Sequence, residues 1–314
     1  MLPKNLSDIL LKKDQLLMKQ QALLDKALLS YQNDVLTSMI NTLYGKLDVV
    51  NGVIQDTLNN YQVLSQIDRT LSEVEKMNVE QISGRISKAT SKSAELSNTY
   101  FRIALTGQSL EKLNNIAVNA SKKMGLRLGY VEDRLVRGGY LDNLLNIEDL
   151  KAQAFNLINK YLATQAPIKD LVKELSTLIN GEKEGFIERK YRNLAHDLYM
   201  QYDAAYNNTL AKAYEMNYFV YQNGLVDDSR DFCIEHNGYV YHRDILETWS
   251  TWTPAKAIHL TEIKQKDINK IPSYLDYAGY DPVIDRGGYN CRHILGWISD
   301  ELAFELAPEL KNKI

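Results

Sequence analysis

The sequence predicts a mostly α-helical α+β protein, in which long N-terminal helices forming a coiled-coil-like hairpin or bundle precede a small C-terminal mixed domain with a short β-sheet. Apolar residues recur at heptad spacing through the first part of the chain. Between Pro3 and Pro254 the only proline is Pro167, so long stretches lack the residue that most strongly breaks helices. The tryptophans, by contrast, are confined to the C-terminal part: Trp249, Trp252 and Trp297.

The composition is that of a folded protein with about two domains. The chain has 314 residues, a net charge of -3, 45% hydrophobic residues and 25% charged residues, which excludes the low-hydrophobicity composition of a disordered chain. We divide it into a helical arm (1–148) and a second domain (149–314). The second domain comprises helices (149–216), a small α+β part (217–303) and a tail (304–314).

Several function classes are disfavoured by the composition and the sequence pattern. No run approaches the roughly 18 consecutive apolar residues that span a bilayer, and the first residues do not resemble a secretory signal, so we expect no membrane partner. Lys and Arg total 37 against 40 Asp and Glu, so any contact with nucleic acid has to be local. Two cysteines do not make a disulfide-rich scaffold.

The heptad spacing in the arm predicts an apolar seam along one helix face. Its positions are Ile9/Leu10, Leu16/Leu17 and Leu23/Leu24, followed by Leu36, Ile40, Leu43, Leu47, Val50 and Ile54. Such a seam has to be covered, because a lone helix would expose it to water. Either the arm folds back on itself, or the helices of a partner or a neighbouring copy cover it.

Helix breaks and short strands follow from local turn signals. Breaks are predicted near 31–34, near Asn78, at 106–107 and at 138–139. The β-rich runs 218–221 and 239–241 adjoin Asn-Gly pairs. Asn-Gly is a strong turn signal, because both residues tolerate a positive φ. The long connection from Trp249 to Gly288 is predicted to be irregular and is either functional or mobile.

Two separated motifs in the C-terminal domain carry a family resemblance. The first reads Asp228-Ser-Arg230-Asp-Phe-Cys233-Ile-Glu-His-Asn-Gly238, and the second, about fifty residues later, reads Gly-Gly-Tyr-Asn290-Cys291-Arg292-His293. With the upstream helix around 192–197, this ordered set resembles the phage Mu protein F-like family of minor head proteins, over roughly residues 150–303. The Pro-x-His that often precedes the family's Asn-Cys-Arg is replaced here by Gly-Gly-Tyr.

The resemblance implies a virion protein, not an enzyme. It implies a minor capsid protein inside the phage head, near the portal, present in several copies and assembled in the host cytoplasm. It assists head assembly and DNA packaging or delivery, with the portal protein, other head proteins and packaged DNA as partners. We assign docking on the portal or on neighbouring copies to the helical arm. The alternative is a toxin or nuclease carrier delivered with phage DNA.

The motif cysteines leave three interpretations open. Two buried, unbridged thiols are the simplest, and a disulfide is the least expected in a reducing compartment. The third is a structural zinc ion, since two Cys and two His can make a tetrahedral site. Its ligands would be Cys233, His236, Cys291 and His293.

The motif arginines are predicted to pair with carboxylates. Arg230 and Arg292 can form bidentate ion pairs that hold the two motif segments together, with Asp227, Asp228 and Asp285 as the candidate partners. No Ser–His–Asp order, phosphate loop or His-Glu-x-x-His motif stands out, so no catalytic residue is assigned.

Overall fold

The computed structural model describes residues 2–105, 110–131, 134–181, 183, 185–227, 229–251, 280–288 and 291–312. It confirms the predicted fold class of long N-terminal helices with a small C-terminal sheet. The helices are α1 (Lys4–Lys46), α2 (Leu58–Ala104), α3 (Leu110–Leu128), α4 (Tyr140–Leu145), α5 (Glu148–Ala163), α6 (Ile168–Asn180), α7 (Phe186–Ala213), α8 (Asp231–His236), α9 (Ile245–Thr251) and α10 (Asp300–Leu306), followed by a 3-10 helix (Pro308–Asn312).

The strands are short. Two hairpins are formed by β1 (Val49–Val50) with β2 (Val53–Ile54), and by β3 (Tyr130–Val131) with β4 (Arg134–Leu135). A three-stranded antiparallel sheet has the order β6 (Val240–His242), β5 (Tyr218–Gln222), β7 (Ile294–Ile298). None of the helices in the described part of the chain combines the length and the apolar sequence needed to cross a membrane.

The chain divides into two compact units, each assembled from separate segments. Unit 1 comprises Met1–Gln20, Lys88–Leu126 and His196–Ile314, and unit 2 comprises Gln21–Ser87 and Arg127–Ala195. The predicted boundary lies at residue 148, whereas each of these units combines segments from both sides of that residue. Compactness follows contacts between residues distant in sequence, and a local pattern does not report those contacts.

The apolar seam of α1 is covered by the chain itself. The first seam positions Leu10, Leu17 and Leu24 are buried as predicted. After Leu24 the predicted register is followed only in part. Leu43, Leu47 and Ile54 are buried as predicted, but Val35 and Met39 are buried in place of Leu36 and Ile40, which are half-buried. Within each unit α1 and α2 run antiparallel: the Lys13 ammonium contacts Ser97 in unit 1, and in unit 2 Asn78 donates to Asp34.

Two predicted helix breaks are wrong. Helix α1 continues through 31–34, where buried Tyr31 donates to the Leu145 carbonyl and Gln32 accepts from the Ile187 amide. Helix α2 continues through Asn78, whose side-chain amide donates to the Val74 carbonyl one turn back and to Asp34. Polar side chains that find tertiary partners no longer compete with the helix for backbone groups. The break at 138–139 is confirmed by the start of α4, while residues 106–109 lie outside the described part.

The α1–α2 connection is a β-hairpin, although the heptad spacing predicts that the seam continues through it. Asn51 and Gly52 both have positive φ, 51° and 81°, in the two-residue turn between Val50 and Val53. The Asn-Gly pair is a turn signal, and the same pair predicts the turns beside the strands of the C-terminal sheet. Val50, predicted to lie in the seam, is therefore exposed.

Asn60 closes this connection, and its loss has a measurable effect. Its side chain accepts from the Asp48 amide at 2.6 Å and donates to the carbonyls of Asp48 and Gln55 at 3.0 and 2.7 Å. We expect Asn60→Ala to lower the free energy of unfolding by about 2 kcal/mol, because buried backbone groups lose their partners. The neighbouring Asn59→Ala, at an exposed position, is the matched control. Equal losses in urea denaturation would contradict this role.

The three-stranded sheet of unit 1 positions the aromatic residues that lie next to the motif cysteines. Phe219 in the central strand β5 pairs with Tyr241 on one side and Trp297 on the other. Strand β7, which the sequence analysis did not predict, is buried throughout. Side chains alternate across a strand, so Tyr221 lies on the same face of β5 as Phe219. The aromatic residues on this face border the motif cysteines.

Candidate functional site

The two motif segments meet in one buried cluster. Cys233 lies on α8, while Cys291 and His293 lie directly before β7, and all three are at most 5% exposed. The two sulfur atoms are 4.0 Å apart, and the Nδ1 atom of His293 is 3.6 Å from the sulfur of Cys291. The structure therefore brings together three of the four predicted zinc ligands.

Tyr221 completes the cluster and was not found from the sequence. Its hydroxyl is 3.3 Å from the sulfur of Cys291 and 3.6 Å from that of Cys233. Its ring stacks on the His293 imidazole at a centroid distance of 4.5 Å. Burial, reinforced by the neighbouring thiols, raises the pKa of Tyr221 well above its ordinary value. The available signal in the sequence was its spacing of two residues from Phe219, which places both side chains on one face of a strand.

His236 lies outside this group. Its Nδ1 atom is 2.6 Å from the Phe232 carbonyl and, in the neutral ring, donates to it. The ring stacks on Phe232 at 4.0 Å. Burial lowers the pKa of His236 to about 4, which keeps the imidazole neutral at pH 7. Among the described residues, the group of convergent ligand atoms contains Cys233, Cys291 and His293 without His236.

The two thiols share their environment unequally. The hydrogen bond with Cys291 and burial raise the pKa of Cys233. At Cys291, burial opposes ionisation, but the hydrogen bonds with Cys233 and His293 and the charge of buried Arg286 outweigh it, so its pKa is lowered. The arrangement therefore favours a Cys233 thiol that donates a hydrogen bond to a Cys291 thiolate.

A tight turn brings the second motif against the thiols. Asp281 accepts hydrogen bonds from the amides of Val283 and Ile284, and Asp285 accepts one from the amide of Asp281. This turn presents Gly287, where an added Cβ would lie only 2.5 Å from the sulfur of Cys233. Glycine is therefore needed for the backbone to approach the sulfur.

Arg230 connects the two motifs, as the predicted clasp requires. It donates a hydrogen bond to the main-chain carbonyl of Gly287 at 3.0 Å, and its predicted pairing with a carboxylate stays a prediction. Asp285 contributes to the turn, and the charge of Arg292 acts on Asp14 of α1. Asp228 and Asn290, assigned to the motifs, lie outside the described residues.

Gly238 has a structural position next to the site. It has a φ of 86° and its amide donates to the Tyr221 carbonyl at 2.6 Å. The Asn237-Gly238 pair thus forms the turn that leads from α8 into β6. This agrees with the turn signal in the sequence and leaves Gly238 without a chemical role.

Charged residues of α1 near the cluster were also missed. Asp14 is 9% exposed, and its Oδ1 atom has no hydrogen-bond partner in the described structure. The adjacent Lys13 is buried against Asp203. The available signal was the charged pair Lys13-Asp14 itself, which lies about one helical turn from each of the seam residues Leu10 and Leu17.

Comparison with known proteins adds no relative: no protein-family model, no curated protein and no solved structure matches this chain.

Proposed function

We propose that this protein is a non-enzymatic minor capsid protein of the phage Mu F-like type, inside the head near the portal, that assists head assembly and DNA packaging or delivery. One observation carries the proposal. The two motifs on which the resemblance depends, with Cys233 and Cys291 separated by 58 positions, contact each other in a buried cluster. Motifs that meet in this way are typical of a single module stabilised by its signature residues.

The character of the cluster supports a structural role for it. A nucleophilic thiol has to be reached by its substrate, and reactive cysteines are accordingly partly exposed. Cys233 and Cys291 are 4% and 5% exposed, and Gly287 is packed against both sulfurs. In this proposal the cluster closes the module and does not act on a substrate.

The docking assignment has to be revised, because the seam is buried within the chain. Leu10 and Leu17 belong to the same compact unit as the sheet. A deletion of residues 1–75 would therefore remove buried core residues from the helical arm and from the unit that contains the sheet. Loss of portal binding by such a variant would not identify the docking surface. We therefore assign contacts with the portal to exposed residues of the chain and not to the buried seam.

Purified phage particles provide the test. We expect the coding sequence to adjoin portal and terminase genes, and mass spectrometry of gradient-purified virions to detect the chain at a small fraction of the major capsid protein. It should resist protease in intact particles and become sensitive when heads are opened, which distinguishes an internal protein from an adsorbed one. Absence from virions, or protease sensitivity in intact heads, would contradict the proposal.

A further inference from the structure

We propose that Cys233, Cys291 and His293 bind a zinc ion and that the hydroxyl of Tyr221 occupies the fourth corner of the site. This inference concerns the described cluster and is independent of the proposed function. It differs from the sequence-based ligand set in one member, because Tyr221 takes the place that the sequence analysis gave to His236.

The spacing of the ligand atoms fits a tetrahedral ion. Zinc bound at its usual distances separates two sulfur ligands by about 3.8 Å, and a sulfur from a nitrogen by about 3.6 Å. The observed separations are 4.0 Å between the sulfurs and 3.6 Å between the Cys291 sulfur and the His293 Nδ1 atom. All three ligand atoms lie within 4.8 Å of one another, so small side-chain adjustments complete the coordination.

The fourth corner falls on Tyr221. A sulfur and an oxygen bound to the same tetrahedral zinc are also about 3.6 Å apart. The Tyr221 hydroxyl lies 3.3 and 3.6 Å from the two sulfurs. Structural zinc sites are closed, with all four ligands supplied by the protein, and this oxygen is the group that closes the buried site.

The hydrogen bonding of His293 also favours a metal. The residue is 1% exposed, and its Nε2 atom has no hydrogen-bond partner in the described structure. Its Nδ1 atom lies 3.6 Å from the sulfur of Cys291, which is a weak hydrogen-bonding group. A buried imidazole with so few partners among the described residues is costly, and coordination through Nδ1 would give that nitrogen a metal bond in place of this weak contact.

His236 supplies the matched control. It is also buried and lies three residues from Cys233, but its Nδ1 atom is held by the Phe232 carbonyl. Replacing it with Gln changes a neighbouring imidazole without changing a proposed ligand. Metal content therefore distinguishes the two ligand sets directly.

The test uses the full-length chain, purified under reducing conditions without chelators and reconstituted with zinc or cobalt. We expect one zinc per chain by elemental analysis, and a cobalt form with thiolate-to-metal charge-transfer bands and tetrahedral d–d bands. Cys291→Ser and His293→Asn should lose the metal, while His236→Gln should keep it. Tyr221→Phe should bind more weakly and shift the cobalt d–d bands.

Several outcomes would overturn the proposal. One is a folded, reduced protein that takes up no zinc, as expected if Arg286 alone balances a Cys291 thiolate. Another is a Cys233–Cys291 disulfide in the freshly purified protein, and a third is loss of metal in His236→Gln with retention in Cys291→Ser. If a ligand variant fails to fold, judged by its helical circular dichroism, the cobalt spectrum of the unaltered chain still reports whether thiolates coordinate the ion.

Discussion

Replacing Lys13 with Met is expected to lower the free energy of unfolding of unit 1 by about 3–5 kcal/mol. The Lys13 ammonium lies 2.7 Å from the Asp203 carboxylate and 2.7 Å from the Ser97 hydroxyl, and both charged side chains are 1% exposed. Burial lowers the pKa of Lys13, and the attraction of Asp203 opposes that shift. Without the ammonium, a buried carboxylate loses its counter-charge and retains only partial compensation from Ser93 and Asn207.

Two further variants separate the ion pair from the loss of a lysine as such. Lys12→Met makes the same change at the exposed neighbouring position of α1 and should alter stability by less than about 0.5 kcal/mol. The double variant Lys13→Met/Asp203→Leu removes both charges and should recover most of the loss, because an apolar pair can replace a buried ion pair. Urea denaturation followed by tryptophan fluorescence is the measurement, since all tryptophans belong to unit 1. Similar losses for Lys12→Met and Lys13→Met would refute the argument.

The second large effect is expected from Gly224→Ala, with a loss of about 3 kcal/mol. Gly224 has a φ of 74°, and an added Cβ would lie 2.5 Å from the carbonyl carbon of Arg292 and 2.7 Å from the amide nitrogen of His293. These are backbone atoms, so the contact cannot be relieved by a side-chain rotation. The Arg292–His293 backbone would have to shift, which would also move the imidazole in the cluster.

Gly238→Ala is the control for this prediction. Gly238 also has a positive φ, 86°, but no atom lies within 4 Å of the added Cβ. It should cost only the backbone strain, about 1 kcal/mol. Both variants are measured by the same fluorescence-monitored denaturation. The difference between their losses of unfolding free energy reports the cost of the close contact between position 224 and the Arg292–His293 backbone. If both variants lose equally, the approach of Arg292 to Gly224 is not the cause.

Local pattern was sufficient for several of the helices and strands of this protein. The periodicity of α6 is an example, because Ile168, Leu171, Leu175 and Ile179 are all buried on one face. The β-rich runs beside Asn-Gly pairs likewise became β5 and β6. Such signals act over a few residues, where backbone preferences and a single buried face dominate.

Local pattern failed where distant residues supply the missing partners. Asn78 reads as a helix break by itself, yet it is buried in mid-helix because Asp34 and its own helix satisfy the side chain. The continuation of the seam past Leu47 failed for a different reason. The Asn51-Gly52 turn signal was present in the sequence, but the heptad pattern was extended across it.

The candidate site was likewise predicted in part from the sequence and decided in part by tertiary contacts. The residue types of the two motifs predicted a common site for Cys233, Cys291 and His293, and the structure places their ligand atoms within 4.8 Å of one another. Only the tertiary structure replaces His236 with Tyr221 as the neighbour of the thiols, and only it pairs Lys13 with Asp203. Helix and strand preferences are properties of neighbouring residues, whereas these contacts join residues tens to nearly two hundred positions apart, and they exist only after the segments of unit 1 have packed together.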